Sequence, residues 1–149
     1  MPRSSDWKKV DKLIEDQKLE EARTLITSIR DAAKKSGNGE EWTETLIKDV
    51  QLQVGLHGYE TAVRFLREQP WPQDALSQTA LELYYAQSLM TYLSAYSWEI
   101  GRREKVDSKA AVDLKAWTKE QLFLEAARSY ERLWQKRAEL GSFPVKSLA

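Results

Sequence analysis

From Trp7 to Trp134, apolar side chains return every three or four residues, and nowhere does the chain alternate with period two over a useful length. Spacing of that kind gathers apolar residues on one face of a helix, whereas a half-buried strand needs alternation. The chain is therefore expected to be all-α, with no strand. Its 149 residues, 42% of them hydrophobic, suffice for one core and not comfortably for two.

Local signals divide the pattern into about six or seven helices. Ser5 precedes Trp7, Val10, Leu13 and Ile14 as a helix N-cap, and this first helix is expected to end near Gln17. The second begins near Leu19 and puts Ala22, Leu25, Ile26, Ile29, Ala32 and Ala33 on one face. Ser36-Gly37-Asn38-Gly39 stops it, with two glycines able to take positive φ. Trp42, Leu46, Ile47, Val50 and Val54 mark a third helix ending near His57-Gly58, and Tyr59, Ala62, Val63, Phe65 and Leu66 a shorter fourth. Pro70-Trp71-Pro72 closes that one, because proline cannot continue a helix and restricts the residue before it. The chain thus reads as one domain, with helix pairs over 1–35 and 40–69, a long central helix over 74–100, a loop over 101–117 and a final helix over 118–140. The 74–100 helix is apolar around so much of its circumference that it must be central. The loop is polar from Gly101 to Ser108, with a short helical turn at Ala110-Ala111. Thr118 and Gln121 form a capping-box pair at the start of the final helix, whose apolar face is Leu122, Phe123, Ala126, Ala127, Tyr130, Leu133 and Trp134. Gly141 stops it, and Ser142 to Val145 is read as extended.

Leu19-Glu20-Glu21-Ala22-Arg23-Thr24-Leu25-Ile26 aligns with Tyr59-Glu60-Thr61-Ala62-Val63-Arg64-Phe65-Leu66, the alanines lying 40 positions apart (62 minus 22). Each segment opens the second helix of a pair. A small alanine there lets the partner helix approach while the larger residues fill around it. The pattern resembles the second helix of tetratricopeptide repeats, with Pro70 where such repeats often end. The period exceeds the usual ~34 residues and the first-helix Trp-Leu-Gly-Tyr signature is missing. What the resemblance implies is a set of antiparallel helix hairpins stacked as a tetratricopeptide-like α-α superhelix; an irregular helical bundle is the alternative.

Composition narrows function mainly by exclusion. Lys plus Arg and Asp plus Glu both number 23, so no net charge steers the chain toward nucleic acid or an anionic membrane. There is no cysteine, hence no disulfide framework, thiolate metal site or cysteine nucleophile, and the redox compartment stays open. The least charged stretch, Leu83 to Trp98, holds four tyrosines and several hydroxyl residues and is shorter than the ~20 apolar residues of a spanning helix. No membrane insertion is expected from it. Nor does an apolar run follow the charge at the amino terminus, so no signal peptide is read there.

His57 is the only histidine and falls in a turn, where a helix C-terminal histidine is ordinary. Glu20-Glu21 and Glu40-Glu41 lie in first turns, complementing the helix dipole. Without a phosphate loop, nucleophile elbow or zinc-protease motif, the expectation is a non-enzyme with no cofactor and no metal. Arg102, Arg103, Lys105 and Lys109 crowd the loop, but Glu104 and Asp107 interrupt them, which reads as a solvated segment. Six tryptophans and six tyrosines suit both core and interface. Tyr85, Tyr92 and Tyr96, at i, i+7 and i+11, share one stripe of the central helix and are the candidate lining of a partner-binding groove.

Ser5-Asp6-Trp7 leading into Val10-Asp11-Lys12-Leu13-Ile14, then Leu83-Tyr84-Tyr85, Trp98-Glu99-Ile100 and Ala116-Trp117-Thr118-Lys119-Glu120-Gln121, followed by Ala126, Tyr130, Leu133, Trp134 and Leu140-Gly141-Ser142, resemble a known helical region. It is the one preceding the macroglobulin-type β domains of large bacterial alpha-2-macroglobulin-like proteins. That resemblance implies an interaction or spacer domain of an exported, protease-trapping inhibitor, on the periplasmic or extracellular side of the envelope. None of that family's thioester or bait machinery is present here, so no functional residue is carried over. The other reading is a free-standing, cytoplasmic tetratricopeptide-like adaptor or chaperone that holds a peptide in its concave groove. Both make the partner a protein.

Overall fold

A computed structural model of the chain describes residues 5–103 and 112–135. Among them are seven helices and no strand: α1 (Ser5–Glu15), α2 (Leu19–Ser36), α3 (Gly39–His57), α4 (Tyr59–Glu68), α5 (Ala75–Ala95), α6 (Ser97–Ile100) and α7 (Lys119–Gln135). Consecutive helices from α1 to α4 pack on one another across connections of one to three residues, which makes them antiparallel neighbours. The α5 helix lies against α3 and α4 and packs most extensively on α7. Such packing fits a stack of helix hairpins.

The punctuation is local chemistry. Gly37 adopts the left-handed conformation, φ 72°, and its N–H and that of Asn38 return to the carbonyls of Lys34 and Ala33, closing α2. Gly39 does not take positive φ, contrary to the expectation for both glycines. It opens α3, and its use is space, since a Cβ there would lie 2.3 Å from Oδ1 of Asp74. Asn38 caps α3 through its Oδ1, which accepts from the Glu41 N–H, and Asp74 caps α5 in the same way from Ser77. The capping box at α7 is reciprocal: the Thr118 N–H donates to Gln121 Oε1 at 2.8 Å, and the Gln121 N–H to Thr118 Oγ1 at 3.3 Å.

Two apolar clusters hold the stack. One joins Trp7, Val10, Ala22, Ile26, Ile29 and Leu52 where α1 and α2 meet α3. The larger runs from Leu46 and Val50 through Ala62, Val63 and Leu66 to Leu81, Tyr85, Leu89, Tyr92, Leu122 and Ala126. Ala22 and Ala62 are both fully buried, as are Ile26 and Leu66 four positions later.

Three expectations need correction. The 74–100 helix breaks at Tyr96 (φ −119°, ψ 24°), where the Tyr96 ring leans on Tyr92 at 5.1 Å. The chain then makes the single turn of α6, which sinks Ile100 into the core. Beyond the polar Gly101–Ser108 run, Val112 and Leu114 are buried in the larger cluster. Arg103 is likewise not solvated. Its guanidinium donates to the carbonyls of Leu114 and Trp117, to the Tyr92 hydroxyl and to Glu99, tying the return of the chain to α5. Finally, of the face expected on α7, Leu122 and Ala126 are buried, together with Ser129, whereas Phe123, Ala127, Tyr130 and Trp134 are exposed. Lys105, Lys109, the turn at Ala110-Ala111, the helix beyond Gln135, the stop at Gly141 and the extended Ser142–Val145 lie outside the described residues.

Candidate functional site

The tyrosine stripe proposed from the sequence faces inward. Tyr85 is fully buried under α7, with the Arg67 guanidinium 5.1 Å from its ring centre, and burial beside the Glu125 carboxylate pushes its pKa well up. Tyr92 is buried as well. Its hydroxyl accepts from Arg103 at 3.0 Å and lies 3.1 Å from the Leu114 carbonyl and 3.4 Å from Glu60. Of the three, only Tyr96 is exposed. Tyr85 and Tyr92 therefore bind helix to helix and offer no surface to a partner.

The groove that does form runs between α3 and α5, and it uses the tyrosine one position earlier. Tyr84 and Ser88 turn toward α3, where the Tyr84 hydroxyl meets the Gln51 side chain; burial raises the Tyr84 pKa. With Val54, Tyr59 and Val63 these residues enclose a hollow of about 190 Å³. A second hollow of about 360 Å³ continues along α3 between Glu40, Thr43, Glu44, Ile47, Lys48 and Gln51. Gln51 lines both, but the second is lined by α3 alone, so the furrow shared with α5 is the first. The Thr43 hydroxyl is buried there and makes no hydrogen bond.

Charge sets this surface apart. The exposed positions of α5 along its 75–94 length include Ala80, Leu83, Gln87, Thr91 and Ser94, adjoining Tyr84 and Ser88. In a chain with 31% charged residues, the 21 residues of α5 include one charge, Glu82, and it is buried. Solvent-facing helix surfaces ordinarily carry charge, whereas the centre of an interface is depleted of it.

The remaining polar clusters are occupied internally. Asp49, fully buried on α3, takes Arg23 at 2.7 Å, Arg30 at 3.0 Å and Gln53 at 3.1 Å, joining α2 to α3. Glu82 takes Arg67 at 3.2 Å, Ser129 at 3.0 Å and Arg132 at 2.5 Å, joining α4, α5 and α7 beside a cleft of about 230 Å³ lined partly by Trp71 and Gln78. Each carboxylate is held by arginines from other helices, and the Ser129 hydroxyl beside Glu82 is itself taken up between that carboxylate and Arg132. His57 ends α3, half exposed, with Nε2 3.5 Å from Glu20. Arg102 lies over the exposed Trp98 ring at 4.8 Å. Among the described residues no group of His, Asp or Glu is placed to hold a metal ion, and no helix is long and apolar enough to cross a membrane.

Sequence reasoning missed Gln51, Tyr84, Ser88 and the outer face of α5. The signal was present: a helix whose single charge stands at Glu82 has no charged face to mark as solvated. Compared with protein families, curated proteins and solved structures, the chain matches none.

Proposed function

We propose that this chain is a non-catalytic interaction module, a tetratricopeptide-like stack of helix hairpins that holds a peptide segment of a partner protein along the α3–α5 furrow. The observation that carries this reading is the exposed, charge-free face of α5 beside that furrow. The hairpin-repeat part of it is supported by α2 and α4, which start 40 positions apart at Leu19 and Tyr59 and bury the equivalent alanines Ala22 and Ala62.

The test is selection of random displayed peptides on the purified chain, followed by titration against the Leu83→Arg/Gln87→Arg variant. Both side chains are exposed, so the variant should melt as the wild type does while binding the selected peptides at least tenfold more weakly. Equal affinity would move the site elsewhere.

A second reading rests on α7, where Phe123, Tyr130 and Trp134 stand exposed along one face. A stripe of that kind is what a neighbouring domain covers. It supports a supporting domain within a larger, exported macroglobulin-type protein, and requires a gene that encodes a secretion signal upstream and β domains downstream. A gene ending at Ala149 refutes it.

A further inference from the structure

The outer face of α5 matches itself. Its exposed positions from Ala80 on are Ala80, Leu83, Gln87, Thr91 and Ser94, at spacings of three, four, four and three. A stripe so spaced reads the same from either end. A second α5 laid antiparallel, with Gln87 at the centre, sets Ala80 against Ser94 and Leu83 against Thr91. What is particular to this stripe is its chemistry. In a two-fold contact each patch meets its own copy, and a charge near the axis meets its like. None stands here, because the one ionised residue of α5, Glu82, is turned inward onto Arg67 and Arg132. At the centre, a glutamine amide carries donors and an acceptor together, so two Gln87 side chains across the axis satisfy each other with a pair of N–H···O bonds. A slip of one turn would put each amide against Leu83 or Thr91 and lose that pair, which fixes the register. At the ends, Ala80 and Ser94 are small and let the backbones come close. Antiparallel alignment also opposes the two helix dipoles, the favourable arrangement.

We propose that a second copy of this chain covers the outer face of α5, the two α5 helices packing antiparallel about a two-fold axis through Gln87. One helix face is less than the ~800 Å² per partner of a stable complex, so the pair is weak and reversible, with a dissociation constant between about 1 μM and 1 mM. This goes beyond the peptide reading above. It covers the face that reading uses, so a chain holds either its copy or a peptide.

Sedimentation equilibrium of the wild-type chain should give the mass of one chain at ~1 μM, rising toward two at ~1 mM, while Leu83→Arg/Gln87→Arg keeps the mass of one throughout. The chain has no cysteine, so single replacements report the register. With ~10 Å between helix axes, facing Cα atoms lie ~5 Å apart, within reach of a disulfide. Gln87→Cys should therefore oxidise to a dimer about tenfold faster than Asp31→Cys, which is exposed on α2 and reports chance collision. Leu83→Cys and Thr91→Cys, each ~12 Å along the axis from its own copy (eight steps of ~1.5 Å), should cross-link only when the two variants are mixed. A wild-type chain that keeps the mass of one at ~1 mM overturns the proposal. So does a Gln87→Cys that oxidises no faster than Asp31→Cys, or a Leu83→Cys that links to itself. Peptide selection run at ~1 μM chain, where the copies are apart, tests the groove separately.

Discussion

Replacing Asp49 by asparagine tests whether the ionic centre between α2 and α3 is structural, as its geometry requires. The carboxylate has no solvent exposure and is clamped by Arg23 and Arg30 with Gln53. The two arginines differ: the Arg30 side chain is only 7% exposed, while Arg23 is 24% exposed and already leans toward Glu20 at 3.8 Å. The amide side chain of Asp49→Asn would keep the volume and one acceptor but leave Arg30 as a buried cation without a counter-charge. Breaking a buried pair in that way costs about 3–5 kcal/mol. Against the ~5–15 kcal/mol that holds a typical domain folded, this is a large fraction. At roughly 2–4 °C per kcal/mol for a chain of this length, it lowers the melting temperature by on the order of 10 °C. Urea denaturation followed by circular dichroism at 222 nm measures it. The double variant Arg30→Met/Asp49→Leu, which replaces charge by apolar volume, should recover more than half of the loss. A loss below ~1 kcal/mol for Asp49→Asn, or a double variant as unstable as the two single changes added together, would refute the argument.

Other consequences follow from burial and backbone. Tyr84, Tyr85 and Tyr92 have pKa values raised above the ordinary 10.0 by desolvation. The unfolded chain releases these protons first, so stability is complete below pH 10 and falls as the pH climbs beyond it, by at most ~1.4 kcal/mol per pH unit for each tyrosine. Tyr85→Phe should flatten that alkaline slope by up to one tyrosine's share; an unchanged slope between pH 10 and 12 counts against its burial. Gly37→Ala should cost about 1 kcal/mol through φ alone, because nothing lies within 4 Å of a Cβ there. Gly39→Ala should cost a similar amount for another reason, displacing the Asp74 cap, so that adding it to Asp74→Ala costs nothing further. Arg103→Ala frees the carbonyls of Leu114 and Trp117 and should speed proteolysis within 112–117 before any change in the α2–α3 half; simultaneous loss of both halves would refute that local role.

The elements that sequence reasoning located well are those with chemistry inside a few residues. The stop at Gly37, the capping box at Thr118 and the paired starts at Leu19 and Tyr59 are local, and they recur in the structure at those residues. The break at Tyr96 is not local. It is stabilised by Ile100 entering a core assembled from α3, α4 and α7, and by Arg103 reaching carbonyls 11 and 14 residues further along the chain. Similarly, α7 has apolar residues over more of its surface than α5 can cover, and the pattern alone does not rank Leu122 above Phe123.

The orientation of α5 is where the reading turned, and the reason is physical. Glu82, Tyr85, Leu89, Tyr92 and Tyr96 recur at spacings of three and four, so they share one side of the helix. Spacing groups them but does not say which side meets solvent. The side with Glu82 turns inward because Arg67 and Arg132, with Ser129, approach from 15, 50 and 47 residues away and make it the better place for the carboxylate. Desolvating Glu82 is compensated only by those three partners together. Once the charge is inside, α5 has nothing ionised left for water, Tyr84 and Ser88 come to line the furrow, and Leu83 and Gln87 stand exposed next to them in the chain. The uncharged outer face and the buried ionic centre are thus two results of one rotation of α5, and the proposed binding surface depends on the arginines that hold it.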